Sequence, residues 1–177
     1  KKSLLSNESG YQTYSVEINA QKQDGQFDYN IHITIPYSST CPCSAALARQ
    51  LQAEAFAKRF PIESISQKEV VAWLSQNSIA TPHSQRSYAY INLAIGNNLW
   101  PNIDSIINKI EETMSTAVQT MVKRIDEQEF ARLNAENLMF CEDSARKLKS
   151  TLETFPWLVD YHFKIEHQES LHAHNAV

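Results

Sequence analysis

Two runs of strict alternation, joined by a tight turn, limit what this chain can become. Between Tyr14 and Ala20, the residues Tyr14, Val16, Ile18 and Ala20 share one side and Ser15, Glu17 and Asn19 the other. Asp24-Gly25 follows, a hairpin signal because glycine tolerates positive φ. The second run sets Phe27, Tyr29, Ile31, Ile33 and Ile35 against Asp28, Asn30, His32 and Thr34, and Pro36 stops the ladder. A period of two with one apolar side specifies an antiparallel pair with a single buried face.

The rest of the chain supplies cover for that face. From Ser44 the pattern turns helical, with Leu47, Leu51 and Ala55 spaced by four, and Phe60-Pro61 ends it. Ser66-Gln67-Lys68-Glu69 is a capping box opening a short helix with Val70, Val71, Trp73 and Leu74. A third strand is expected near Arg86 to Ile95. Pro101 then reads as the first residue of a long core-facing helix, its stripe formed by Ile103, Ile106, Ile107, Ile110, Met114, Val118, Met121 and Ile125. A shorter helix follows from Glu142 to Leu152, and Val159, Tyr161, Phe163 and Ile165 alternate as a fourth strand. The sum predicts an α+β fold over residues 1–177, an antiparallel sheet with helices packed on one face and polar clusters where strands end.

Composition narrows the function. No apolar run approaches the roughly 18 residues that cross a membrane, and nothing at the start reads as a signal peptide. A formal charge of −4 without a block of like charge argues against nucleic acid as partner. Three cysteines, an odd count without framework spacing, fit a reducing cytoplasm. With glycine only at Gly10, Gly25 and Gly96, no Gly-rich phosphate loop is possible, so a phosphorylated ligand would need side chains or helix N-termini.

Four clusters carry metal-ligating residue types at element boundaries: Cys41 with Cys43, His83, Asp126 with Glu127, and Glu169 with His172. Thiolate, imidazole and carboxylate suit Zn²⁺, Fe²⁺ or Mn²⁺ rather than Ca²⁺. Pro42 favours an extended backbone between the thiols, which sends them different ways and lets them hold different jobs. Plainer readings stand beside these. The thiols can simply be buried, His83 can satisfy a backbone carbonyl at the start of a strand, and Asp126-Glu127 can be solvated charge past a helix end. His32, His162 and His167 read as sheet or surface positions and His174 as a tail residue.

Cys41-Pro42-Cys43-Ser44, His83-Ser84-Gln85-Arg86-Ser87, Val122-Lys123-Arg124-Ile125-Asp126-Glu127, Phe140-Cys141-Glu142-Asp143 and Glu169-Ser170-Leu171-His172-Ala173-His174 occur in that order. With Ser9-Gly10-Tyr11 leading into the first strand, the chain resembles GTP cyclohydrolase type IB. The resemblance implies a tunnelling fold, in which sheets from several subunits join, and a homotetramer with active sites at subunit interfaces. It implies conversion of GTP to 7,8-dihydroneopterin triphosphate and formate with a loosely held Mn²⁺, Fe²⁺ or Zn²⁺. Carried onto this sequence, Cys41, His83 and Glu127 match the metal ligands, Glu169 and His172 a second cluster at the metal or its water, and Glu142 the guanine anchor. Cys43 matches the second active-site thiol, a proton donor or nucleophile, and His172 a proton shuttle. Arg86, Lys123 and Arg124 are candidates for the triphosphate.

Two departures from the family pattern are visible. A helical stretch over 45–80 separates the thiols from His83, where the family has a short span, and it reads as an added surface or interface element. The family's N-terminal half has no counterpart, so the sequence reads as one catalytic domain or as the C-terminal portion of a longer chain. The rival readings are a nitrile reductase of queuosine synthesis, whose Glu-Ser-Lys-rich motif is not seen, and a non-catalytic purine-binding assembly subunit.

Overall fold

The computed structural model describes residues 1–61, 64–96, 100–120, 122–168 and 173–177. Strands β1 (Ser15–Gln23), β2 (Gln26–Thr40), β3 (Ser84–Ile95) and β4 (Leu158–Gln168) form one sheet in chain order. Every neighbouring pair is antiparallel. Asp24 and Gly25 make the expected turn with φ of 50° and 86°, the positive pair that matches strand twist in a two-residue hairpin. Register sets Val16 opposite Ile33 and Ile18 opposite Ile31, so the alternation translates directly into faces.

The core lies on one side of the sheet. Ile31, Ile33, Ile35 and Tyr37 of β2 and Ala89, Ile91, Leu93 and Ile95 of β3 are buried there. Helices α3 (Ile103–Met114) and α5 (Cys141–Leu152) cover them with Ile106, Ile110, Met114, Leu148 and Leu152. Val16 and Ile18 share this face but remain 37% and 48% exposed, because β1 is an outer strand.

The single long helix expected from Pro101 is in fact two. Pro101 lies outside it, and Asn102 is the cap, its Oδ1 accepting from the Ser105 N–H at 2.9 Å. Helix α3 ends at Met114, where Ser115 adopts φ 71°. The cause is an unfinished edge. β1 stops opposite Thr34, leaving the last residues of β2 with backbone groups that need partners. The chain after Ser115 supplies them: the Ser38 N–H donates to Thr116 O at 2.9 Å, the Thr116 hydroxyl donates to Ser38 O, and Ala117 bridges Tyr37. Asn137 and Met139 complete the edge around Thr40. Val118 is therefore in a connection, Ile125 is 53% exposed, and Met121 lies outside the described residues.

A further helix, α4 (Arg124–Glu136), occupies the stretch beyond. Asp126 and Glu127 stand in its first turn and not past a helix end, where negative charge complements the helix dipole. Helices α1 (Pro42–Arg59) and α2 (Gln67–Gln76) fill the expected helical stretch, and Ser66 and Glu69 form their capping box. The spacing of Leu47 and Leu51 does not mark the buried side of α1. Leu47 and Leu51 are 60% and 46% exposed, and the buried residues are Ala45 and Ala48.

Candidate active site

The β2–β3 ladder ends at the pair Thr40 and Ser84. One step further the Cys41 N–H donates to the His83 carbonyl at 3.5 Å, so thiol and imidazole become cross-strand neighbours. The 45–80 stretch thus leaves the ladder and returns to it at the same rung. It is held together by Phe56, Phe60 and Trp73, whose ring centroids lie 5.0 to 6.2 Å apart. The Ser44 hydroxyl accepts from the His83 N–H at 3.1 Å and fixes the returning chain to the start of α1.

Pro42 is the first residue of α1 rather than part of an extended link, a position where proline's missing N–H costs nothing. Cys41 keeps an extended backbone as the cap residue, half-buried, while Cys43 is exposed in the first helical turn. Both thiols and His83 line one hollow of about 340 Å³, walled by Ala48, Leu47 and Leu51. Glu127 and Arg86 line a second hollow of about 350 Å³ with Ser84. Because His83 and Ser84 are consecutive, the two hollows flank the start of β3. Glu142, exposed at the start of α5, lines a third of about 470 Å³ along β4 with Phe163 and Lys164.

Lys123 is held by an ion pair with Glu8, and that hydrogen bond raises its pKa. Arg124 is exposed in the first turn of α4. Glu169 and His172 lie outside the described residues. The flanks of their motif are fixed, however: Arg86 pairs with Gln168, and His167 exchanges backbone hydrogen bonds of 2.9 and 3.0 Å with Ala176. Among the described residues, no three His, Cys, Asp or Glu side chains are grouped to hold a metal ion. Cys41 and His83 are brought together, and Glu127 opens into the adjacent hollow.

Beneath this end of the sheet lies a buried polar row. Tyr37, Ser87 and His167 pair across three strands, and the small Ser87 lets the outer two meet. The Tyr37 hydroxyl is 2.8 Å from His167 Nε2, with the Ser144 hydroxyl at 3.2 Å from the same nitrogen. Cys141 is buried, and burial pushes its thiol pKa up, which makes it a packing residue rather than a third reactive thiol.

Asp126 is the largest surprise among the acidic residues. Burial opposes its ionisation, yet the Ser6 hydroxyl and the N–H groups of Ser6, Lys123 and Leu5 outweigh that and hold its carboxyl well below the usual range. It is a structural clasp for the N-terminal segment, next in sequence to Glu127. Asn134 also escaped the sequence reading. It anchors both strand ends beside the thiol, and only the polar run Ser38-Ser39-Thr40 hints at such a partner.

A family model described as type I GTP cyclohydrolase folE2 matches residues 1–177. The chain belongs to that family. Proteins called GTP cyclohydrolase FolE2 are similar to it along its whole length, the 45–80 stretch included. The one from Hahella chejuensis is 60% identical over 177 residues, all of this chain and 58% of the relative. That from Pseudoalteromonas atlantica is 55% identical over 179 residues, with the same coverage. That from Pseudomonas putida is 44% identical over 178 residues, 98% of this chain and 59% of the relative. The chain therefore spans less than three-fifths of these relatives. Among the described residues, no helix is long and apolar enough to cross a membrane.

Proposed function

We propose that this chain carries the hydrolytic site of a GTP cyclohydrolase, which converts GTP to 7,8-dihydroneopterin triphosphate and formate. One observation carries the proposal: the Cys41 and His83 motifs meet at the last rung of the β2–β3 ladder, sharing a hollow with Cys43. Glu127 and Arg86 line the adjacent hollow, and Arg86 pairs with Gln168 at the edge of a further motif. Cys41 and His83 offer a soft sulfur and a nitrogen donor, which fit Mn²⁺, Fe²⁺ or Zn²⁺, and Glu127, Glu169 and His172 are the remaining ligand candidates. A divalent ion bound there lowers the pKa of its water, so that hydroxide exists near neutral pH.

The protein's own groups do the rest. The Glu142 carboxylate accepts from guanine N1–H and the 2-amino group together, which fixes the ring. Water adds at C8, the imidazole ring opens, and a second water cleaves the formamide to release formate. His172 moves protons between these steps, since imidazole titrates in that range. Cys43, exposed and off the ladder, is free to serve as proton donor or nucleophile while Cys41 is the ligand. Arg86, Lys123 and Arg124 offer charge to the triphosphate.

The sites belong at subunit interfaces of a homotetramer in the cytoplasm. β1 and β4 are outer strands, and Val16, Ile18 and Val159 on them are exposed, as sheet edges awaiting another copy would be. Residues 1–177 then form a tunnelling-fold catalytic domain within a longer enzyme, with 45–80 as its interface element. Incubating the metal-loaded protein with GTP should release formate and give fluorescent neopterin after oxidation. GTP bound without product would favour a non-catalytic subunit, and reduction of a nitrile with nicotinamide consumption would favour the reductase; either result overturns the assignment.

A further inference from the structure

The geometry points to Asn134 as a positioning residue that sets the separation of Cys41 and His83, an inference that rests on reading those two as metal ligands. Asn134 is buried in the last turn of α4. Its Nδ2 donates to Thr40 Oγ1 at 3.1 Å and to Ser84 Oγ at 2.6 Å. Its Oδ1 accepts from the Ser38 hydroxyl at 2.7 Å, and its main-chain oxygen accepts from the Thr40 hydroxyl at 2.8 Å. Thr40 and Ser84 are the last paired residues of the two strands, and each adjoins one ligand. One amide therefore spans the rung next to the thiol and imidazole, with a hydrogen donated to each strand.

The clamp answers a need created by the long excursion between β2 and β3. A hairpin end is ordinarily closed by its turn, but β2 and β3 are joined through α1 and α2, so no short turn closes this rung. Sheet ends fray unless something spans them. Asn137 provides the comparison. It is equally buried and its Nδ2 is also fully used, but on Ser38 O, Met114 O and Thr116 Oγ1 rather than on the hydroxyls of Thr40 and Ser84.

Titration with Co²⁺, read by the thiolate-to-cobalt charge-transfer absorption, tests the clamp without any turnover. Wild type should show the band and Cys41→Ser should lose it. Asn134→Ala should weaken Co²⁺ affinity by about 10- to 100-fold, as removal of a group that orients ligands does. Ser84→Ala, an exposed position that removes only the β3 arm, should weaken it less and at an unchanged melting temperature. Asn137→Ala should lower the melting temperature with affinity unchanged. Wild-type affinity in both Asn134→Ala and Ser84→Ala, or an equal loss in Asn137→Ala, overturns the clamp alone. A wild-type protein with no thiolate band overturns the ligand reading and the clamp together.

Discussion

Tyr37→Phe offers a clean measurement of the buried row under the site. The substitution removes one oxygen and keeps the ring that fills the core, where Tyr37 is fully buried. The lost hydroxyl lies 2.8 Å from His167 Nε2, and the Ser144 hydroxyl stays at 3.2 Å from that nitrogen. The loss centres on the buried hydrogen bond to His167, about 1 kcal/mol at neutral pH. For a chain of this size that lowers the melting temperature by about 2–4 °C. A second effect runs the other way in alkali. Burial pushes the Tyr37 phenol up, opposed in part by the hydroxyls of Ser144 and Ser87. The folded protein therefore keeps a proton that the unfolded chain releases near about pH 10. Stability from this group is fully present below that pH and falls as pH rises beyond it, by about 1.4 kcal/mol per pH unit.

The phenylalanine variant has no such proton, and the other tyrosines are common to both proteins and cancel in the difference. Wild type and Tyr37→Phe should therefore be equally stable near about pH 10.7, with the variant ahead in stronger alkali. Urea unfolding followed by far-ultraviolet circular dichroism at stepped pH gives the two curves. A gap that stays constant through that range, or equal stability at neutral pH, refutes the assignment of a buried, hydrogen-bonded phenol.

Cys41→Ala should lose bound metal by elemental analysis, whereas Cys43→Ala should keep it and lose turnover; normal metal in the first variant removes Cys41 from the ligand set. Glu142→Ala should raise KM for GTP severalfold or more while metal content is retained, and unchanged kinetics would take Glu142 out of the guanine pocket. Asp126 is held ionised in the fold, so its contribution is present above its ordinary pKa of about 4 and is lost as pH falls below it. Proteolysis of the N-terminal segment should accordingly rise in that acid range, and Asp126→Asn should show the susceptible pattern already at neutral pH.

The strands were legible because a period of two is written in consecutive residues, and the register of β1 on β2 follows from a two-residue turn, but Pro36 does not stop the ladder: β2 runs on to Thr40 against β3, past the point where β1 has ended. The split between α3 and α4 was not. The apolar stripe runs on through Val118, and what ends the helix is a distant demand, the bare edge of β2 beyond Thr34. The direction of α1 was not legible for a similar reason: spacing finds a face but not what it faces, and here two alanines turn inward while the leucines wall a hollow. At the site, the motif order named Cys41, His83 and Glu142, but nothing local could show that an intervening helical pair returns to the same rung. Asp126 read as a metal-ligand candidate or as solvated charge because its partners, Leu5 and Ser6, lie some 120 residues earlier in the chain.

That return explains how a family site tolerates so long an excursion between two of its ligand candidates. Closing a flexible loop costs free energy only as the logarithm of its length, about 0.6 kcal/mol for each doubling. The excursion is not wholly flexible either, since the Phe56, Phe60 and Trp73 rings pack within it and the Ser44 hydroxyl catches the His83 N–H where it ends. Against that modest cost stand the two arms of Asn134 on the final rung and the Cys41–His83 backbone bond one step beyond it. Placement of the thiol and imidazole is therefore governed by strand register and by what grips the strand ends. The length and shape of the chain between them govern something else, the apolar wall that Leu47 and Leu51 raise beside the thiols.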